Sequence, residues 1–399
     1  ALRSDSPGTL AAGWAAARSL PMAVGVMEAL PIFNVCTAAH CFDVEFHPSE
    51  PLLATATITG DIELHRFDTE GGSAELVRTL KNHKESCRTA RFMPGCKGTP
   101  AGARLASAAA NGFAALSDVE TGERLWRTKL EAGGNALLPL SGNRFAVGDD
   151  EGSIAVFDVR KKKPVAEWTE HSDFVSDLAV GGPDNQTLCA TSGDGHLGVY
   201  DLRKSGTKGL IAMSDFLEDE YLCLTVLRHG TKVICGGQEG VLAIFTWGDF
   251  GDMKDRIKGP KLSIDSLVKI TEDCILTGSS DGKIRVVSVY NAEHNNWILG
   301  NFAEHSDTPI ERLALSPDGE LVASASHGQP AVRVFSTEVA HKMLNAKKGA
   351  TGGLIVPEED EEDSDSDEEK PKRVKRKKKR RKNMVSDVQR QAAGFFSEL

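Results

Sequence analysis

The sequence contains no Cys-x-x-Cys pair. Its eight cysteines, Cys36, Cys41, Cys87, Cys96, Cys189, Cys223, Cys235 and Cys274, are scattered, and several lie inside apolar runs such as VICGG and LCATS. That distribution reads as reduced thiols in the strands of an intracellular protein, not as a disulfide framework. Cys36, His40 and Cys41 offer metal donors, but their spacing fits no common zinc pattern and a fourth ligand is missing. No stretch approaches the roughly 20 apolar residues of a membrane span. The chain also lacks a G-x-S-x-G elbow, a P-loop, an H-E-x-x-H helix and a dinucleotide fingerprint. These absences argue against an enzyme. They also leave no cofactor, no small-molecule substrate and no membrane to expect.

What is present is generous glycine, 39 residues of 399, with 40% hydrophobic and 26% charged residues. The hydrophobic and charged fractions are ordinary for a soluble globular protein. Turn-rich β proteins use this much glycine because tight turns need positive φ. Length alone suggests two or three domains, but a closed repeat architecture uses a long chain as one unit.

One skeleton recurs along the chain. It reads ITGDIELHRFD at 58–68, AANGFAALSDV at 109–119, DDEGSIAVFDV at 149–159 and SGDGHLGVYDL at 192–202. It continues as GQEGVLAIFTW at 237–247, SSDGKIRVVSV at 279–289 and, with an insertion, SHGQPAVRVFS at 326–336. The turn glycines Gly60, Gly112, Gly152, Gly195, Gly240, Gly282 and Gly328 are separated by about 40 to 52 residues, the period of a propeller blade. An acid-Gly or Asn-Gly pair suits a two-residue hairpin turn. Apolar strands follow each turn and precede it, and a third stretch, such as CFDVEF, CRTARF or IERLAL, comes earlier still. Each repeat therefore supplies at least three strands. A lone sheet with two apolar faces cannot bury both. Radial stacking buries each sheet against its neighbours and leaves few open edges.

These segments resemble WD repeats, and seven copies imply an all-β, seven-bladed propeller over residues 31–345. The resemblance implies a buried network in each blade, built from a His, a hydroxyl, a turn acid and an aromatic. His83, His171 and His305 occupy the His position, and Asp194 and Asp281 the acid position, with Glu151 and Glu239 as longer substitutes. Ser107 and Thr277 fit the hydroxyl position. Tyr200 takes the aromatic position, as do Phe157, Phe245 and Phe335. No blade carries all four residues. The same His and Asp residues read as hydrogen-bond partners tying loop to turn, not as a catalytic pair.

The ends differ in character. Residues 1–30 are expected to be a disordered leader; their Ala, Ser and Arg content also fits a transit peptide, and Met22 or Met27 is an alternative start. Residues 346–399 are expected to be a disordered tail, acidic at 357–369 and then basic. Lys372, Arg373, Lys375, Arg376, Lys377, Lys378, Lys379, Arg380, Arg381 and Lys382 form the basic run. Such runs direct proteins to the nucleus or nucleolus, and they offer weak, salt-sensitive contact to RNA phosphates without sequence specificity. Ser364 and Ser366, each followed by acids, are candidate sites for an acid-directed kinase, whose phosphates would alter the availability of the basic run. The chain carries a net charge of −10 and the tail blocks nearly cancel, so the repeats carry the acidity. An acidic propeller is not a general nucleic-acid surface. The RKKKP stretch at 160–164 reads as a solvated hairpin tip.

Two successive repeats end alike, in Asp158-Val159-Arg160 and Asp201-Leu202-Arg203. This resembles the box by which some WD-repeat proteins dock on the adaptor of a cullin-type ubiquitin ligase. There the Arg is the docking residue, which corresponds here to Arg160 and Arg203. The layout of the whole chain, with IDSLVKITEDCILTGSSDGKIRVVSV and PIERLALSPDGELVASASHG late in the repeats, is similar to the nucleolar WD repeat-containing protein 55 family. Membership implies a non-enzymatic scaffold for ribosomal RNA processing, in nucleus and nucleolus with cytoplasm as a further location. Its partners would be proteins, among them pre-ribosomal assembly factors. The alternative is a substrate receptor of a cullin-type ligase.

Overall fold

The structure is a computed structural model and describes residues 28–289 and 297–349. Each apolar stretch of the repeat forms a strand, and each acid-Gly or Asn-Gly pair turns the second strand of a sheet into the third. A fourth strand follows. Val175–Gly181, Thr187–Ser192, Leu197–Asp201 and Leu210–Met213, for instance, pair antiparallel in that order. Seven four-stranded sheets result. The first strands of neighbouring sheets touch all the way round, and the seventh, Ile310–Leu315, returns to the first, Cys41–Phe46. The fold is a seven-bladed β-propeller whose first strands line a central channel.

Closure is built from both ends of the repeat array. The seventh blade takes its outer strand, Pro31–Cys36, from upstream of the first repeat, paired antiparallel with Ala331–Ser336. That pairing removes an open edge. The helix Glu338–Gly349 then lies where the sequence reading extended the propeller to 345. Its Ala340 is buried, and Val339, Met343 and Leu344 pack against the core cluster that includes Phe302, Leu276 and Ile284.

Strand composition follows position in the blade. Leu52–Thr57 and Cys274–Ser279 are buried at every residue, since sheets cover both faces, so they run small and apolar without alternation. The outer strand Ser73–Lys81 is mostly exposed and polar. Gly152 and Gly195 have φ of +84° and +75°, and a Cβ on either would stand 2.5 Å from a carbonyl oxygen, that of His171 or Leu217. Glycine is required there twice over, by the turn and by the next blade's loop lying on it. Gly328 differs from the turn reading: it is outside the positive-φ set, and the insertion around it places it against the Thr308 side chain.

Candidate functional site

Every first strand slips register between its first and third residues, as between Cys41 and Asp43 or Ile310 and Arg312. A bulge of this kind leaves the second residue out of the ladder and re-aims its side chain. The seven displaced residues are Phe42, Arg88, Asn135, Ser176, Leu222, Asp265 and Glu311. Together with Phe174 and Arg312 they line one cavity of about 280 Å³. It is the mouth of the channel, on the face that carries the turns between second and third strands. The sequence reading missed it. The available signal was one mostly polar residue at the second position of each first strand, spread over seven segments and invisible as a group until the ring closes.

The third residues staple the ring. Asp43 accepts the Ala90 N–H at 2.9 Å, Asp177 the Leu224 N–H at 3.1 Å, and Ser266 the Leu313 N–H at 2.9 Å, each on the next blade. Arg312 spans the channel. Its Nε is 3.3 Å from Asp43, and its Nη1 is 3.8 Å from Asp177 on the far side. Arg91 also pairs with Asp43. Burial pushes the Glu45 carboxyl up to about 7, against the pull of Arg91 and the Phe92 N–H. The arginines below the mouth are therefore matched by carboxylates.

Above them the balance changes. Arg88 is held by Asp150 at 2.5 Å. Asp265 has one carboxylate oxygen, Oδ2, buried without a hydrogen-bond partner. Burial pushes that carboxyl up to about 6, and Glu311 and Asp281 add to the effect. Glu311 is raised by burial, and its carboxylate lies 3.2 Å from His327 Nδ1. The loops around the mouth expose Glu151, Asp173, Glu218, Glu220, Glu239 and Asp307, against Lys84 and Lys261. This face is acidic.

The network residues lie in the turns of the same face. His171 Nδ1 is 3.0 Å from Asp194, which also accepts the N–H groups of Ser172 and His196. Burial opposes ionisation of Asp194, but these hydrogen bonds outweigh it and hold the carboxyl at about 2. His83 Nε2 is 2.9 Å from Ser107 Oγ, and His305 Nδ1 is 2.6 Å from Ser324 Oγ. Both rings are driven down to about 4, by burial first and then by nearby arginines. Asp281, in the turn of the sixth blade, accepts the Lys283 N–H and pairs with Arg285 of its own hairpin. Tyr200 packs tilted against Trp168 with ring centroids 5.0 Å apart, but its hydroxyl is buried without a partner, as is His171 Nε2. The reason is Ala190, which lies five residues before Gly195, as Ser107 lies five before Gly112, and has no hydroxyl to offer.

The paired strand ends lie on the opposite face. Arg160 donates Nε and Nη2 to Asp158 at 2.8 and 2.6 Å, and Arg203 does the same to Asp201 at 2.7 and 3.2 Å. Each carboxylate is buried, while the guanidinium side chains are 66% and 60% exposed. The hydrogen bonds from Arg160 hold Asp158 down at about 2. Lys161, Lys162, Lys163, Lys204 and Lys208 are exposed beside them, and Ser205 ties the two blades by accepting the Glu167 N–H at 3.0 Å. This face is locally basic. The basic run Lys372–Lys382, Ser364 and Ser366 lie outside the described residues. Among the described residues no group of three or more His, Cys, Asp or Glu is placed to hold a metal, and no helix is long and apolar enough to cross a membrane.

Residues 34–338 match the protein-family model described as WDR55. The chain is 34% identical to WD repeat-containing protein 55 of Arabidopsis thaliana over 318 residues, 79% of this chain and 85% of that protein. It is 31% identical to the human protein of that name over 298 residues, 74% of each. Among solved structures, a chain of the mitotic checkpoint complex superposes with a TM-score of 0.66 at 16% identity, over 82% of this chain and 98% of that one. At that identity the likeness is one of fold alone.

Proposed function

The chain belongs to the WDR55 family, and from that premise we propose that it is a non-enzymatic scaffold for ribosomal RNA processing in the nucleolus. WD-repeat propellers work in general by binding proteins. The observation that carries the scaffold role is the channel mouth, where one displaced side chain from each of the seven blades meets in a single recess. At about 280 Å³ it lies at the lower edge of the roughly 300–1,000 Å³ usual for ligand pockets. It suits a side chain presented by another protein.

The nucleolar assignment rests on the family resemblance and on the basic run Lys372–Lys382, which also serves as a candidate RNA contact. The partners would then be pre-ribosomal assembly factors. The test is affinity purification from nuclear extract with and without RNase, followed by gradient sedimentation and mass spectrometry. Co-sedimentation with large pre-ribosomal particles is the expected result. A compact complex of ligase adaptor and cullin, without pre-ribosomal proteins, would overturn it.

A specific observation favours that second reading in part. Arg160 and Arg203 stand at equivalent ends of adjacent blades, each locked by its own Asp and still exposed. Two rigid, outward guanidinium groups form a preorganised docking pair. Loss of adaptor binding in Arg160→Ala/Arg203→Ala would support docking, and unchanged binding would remove it.

A further inference from the structure

We propose that the channel mouth takes one basic side chain, arginine in preference to lysine, from a flexible segment of a partner protein, with Asp265 and Glu311 as its counter-charges. This rests on the scaffold reading and names what that surface recognises.

Size sets the first limit, since about 280 Å³ has room for a long side chain but not for a folded element of a partner. Charge sets the second. The two arginines at the mouth are already matched, Arg88 by Asp150 and Arg312 by Asp43 and Asp177. Asp265 makes no ion pair among the described residues and its Oδ2 lacks a hydrogen-bond partner, while Glu311 pairs with His327 and feels Arg312 only at longer range. Each carboxylate disfavours the other's ionisation, and a bound cation relieves both. An anionic ligand would meet these carboxylates and the acidic rim, so a phosphate or an RNA is the wrong guest. Asp265 Oδ2 also lacks a donor, and rotation about its terminal torsion presents either oxygen to a ligand.

Shape favours arginine. Phe42, Phe174 and Leu222 supply apolar wall for a methylene stem and ring faces for a planar cation. A guanidinium pairs with a carboxylate through two parallel N–H bonds, which an ammonium cannot do. Around the recess, Glu151, Asp173 and Glu218 attract further basic residues of the same segment. That attraction reaches over a Debye length of about 10 Å at 0.1 M salt.

The test uses the full chain and a short fluorescent peptide alternating arginine and glycine. The controls are its citrulline counterpart and a labelled single-stranded RNA, all read by anisotropy. The arginine peptide should bind and the citrulline peptide should not. Asp265→Asn and Glu311→Gln keep side-chain volume and should each weaken binding about tenfold. Leu222→Lys places a cation in the recess from within and should block the peptide at an unchanged melting curve. Lys162→Glu on the opposite face should leave binding intact. No binding to the wild type, or equal binding by wild type and Asp265→Asn/Glu311→Gln, overturns the proposal. So does binding of the RNA in competition with the peptide. If the wild type sediments with pre-ribosomal particles yet ignores the peptide, this inference fails and the scaffold reading stands. If it binds the peptide through Asp265 and Glu311 but sediments without particles, the scaffold reading fails alone.

Discussion

Replacing Asp43 by Asn tests the account of the channel most directly. The Asp43 side chain is fully buried, accepts the Ala90 N–H, and faces both Arg91 and Arg312. An amide can still accept one backbone bond, but it leaves two largely buried arginines short of a counter-charge. Removing one partner of a buried ion pair costs about 3–5 kcal/mol. Glu45 offsets part of this, because Asp43 is among the causes that raise its pKa, and without Asp43 it ionises more readily. A net cost of about 3 kcal/mol is expected near pH 7. For the roughly 310 described residues, an unfolding entropy of about 2.1 cal/mol/K per residue converts this into a fall in Tm of about 5 °C. The pH dependence follows from Glu45. Its folded value of about 7 lies above the unfolded 4.5. Wild-type stability is therefore free of this penalty below 4.5 and declines as pH rises toward 7. In Asp43→Asn the folded value falls and the decline shrinks, so the deficit relative to wild type should be largest near pH 5 and smaller at pH 8. Melting curves at the two pH values decide it. A Tm within 1 °C of wild type at pH 5, or a deficit that grows with pH, refutes the charge network.

Four further outcomes are expected. Ala190→Ser should raise stability by about 1 kcal/mol by giving His171 Nε2 the partner that Ser107 gives His83, seen as a rise in Tm that vanishes in His171→Ala. Gly152→Ala should cost about 2 kcal/mol or more, because φ is +84° and the added carbon meets the His171 carbonyl; an unchanged Tm would contradict the packing of loop on turn. Arg160→Ala/Arg203→Ala should lower Tm only modestly, because both guanidinium groups are exposed although the buried Asp158 and Asp201 lose their hydrogen bonds; a large loss would mean that the pairs hold the fold. Arginine-peptide affinity should rise as pH passes upward through about 6, where Asp265 gives up its proton.

The propeller was legible because its signals are local and repeated. An acid-Gly or Asn-Gly turn between two apolar strands needs only about a dozen residues to declare itself, and the chain states it five times, with Thr59-Gly60 and His327-Gly328 in the two remaining repeats. The fourth strands were not legible. Ser73–Lys81 is exposed and polar almost throughout, and Ala166–Trp168, though buried at two of its three residues, is too short for an alternating pattern to stand out. The network was half legible. His171 with Asp194 follows from position in the repeat, whereas the pairing of Asp281 with Arg285 depends on which way a side chain turns within its own hairpin.

From the sequence alone came the blade count, the hairpin turns, the strand-end Asp and Arg pairs and the charged tail, because each is written within one short segment. Only the tertiary structure decided that Pro31–Cys36 closes the last blade and that Arg312 bridges Asp43 and Asp177. It alone decided that residues from Phe42 to Glu311, one per blade, share a single recess. Those relations join residues far apart in the chain. They exist once the ring has closed, and no local pattern encodes them.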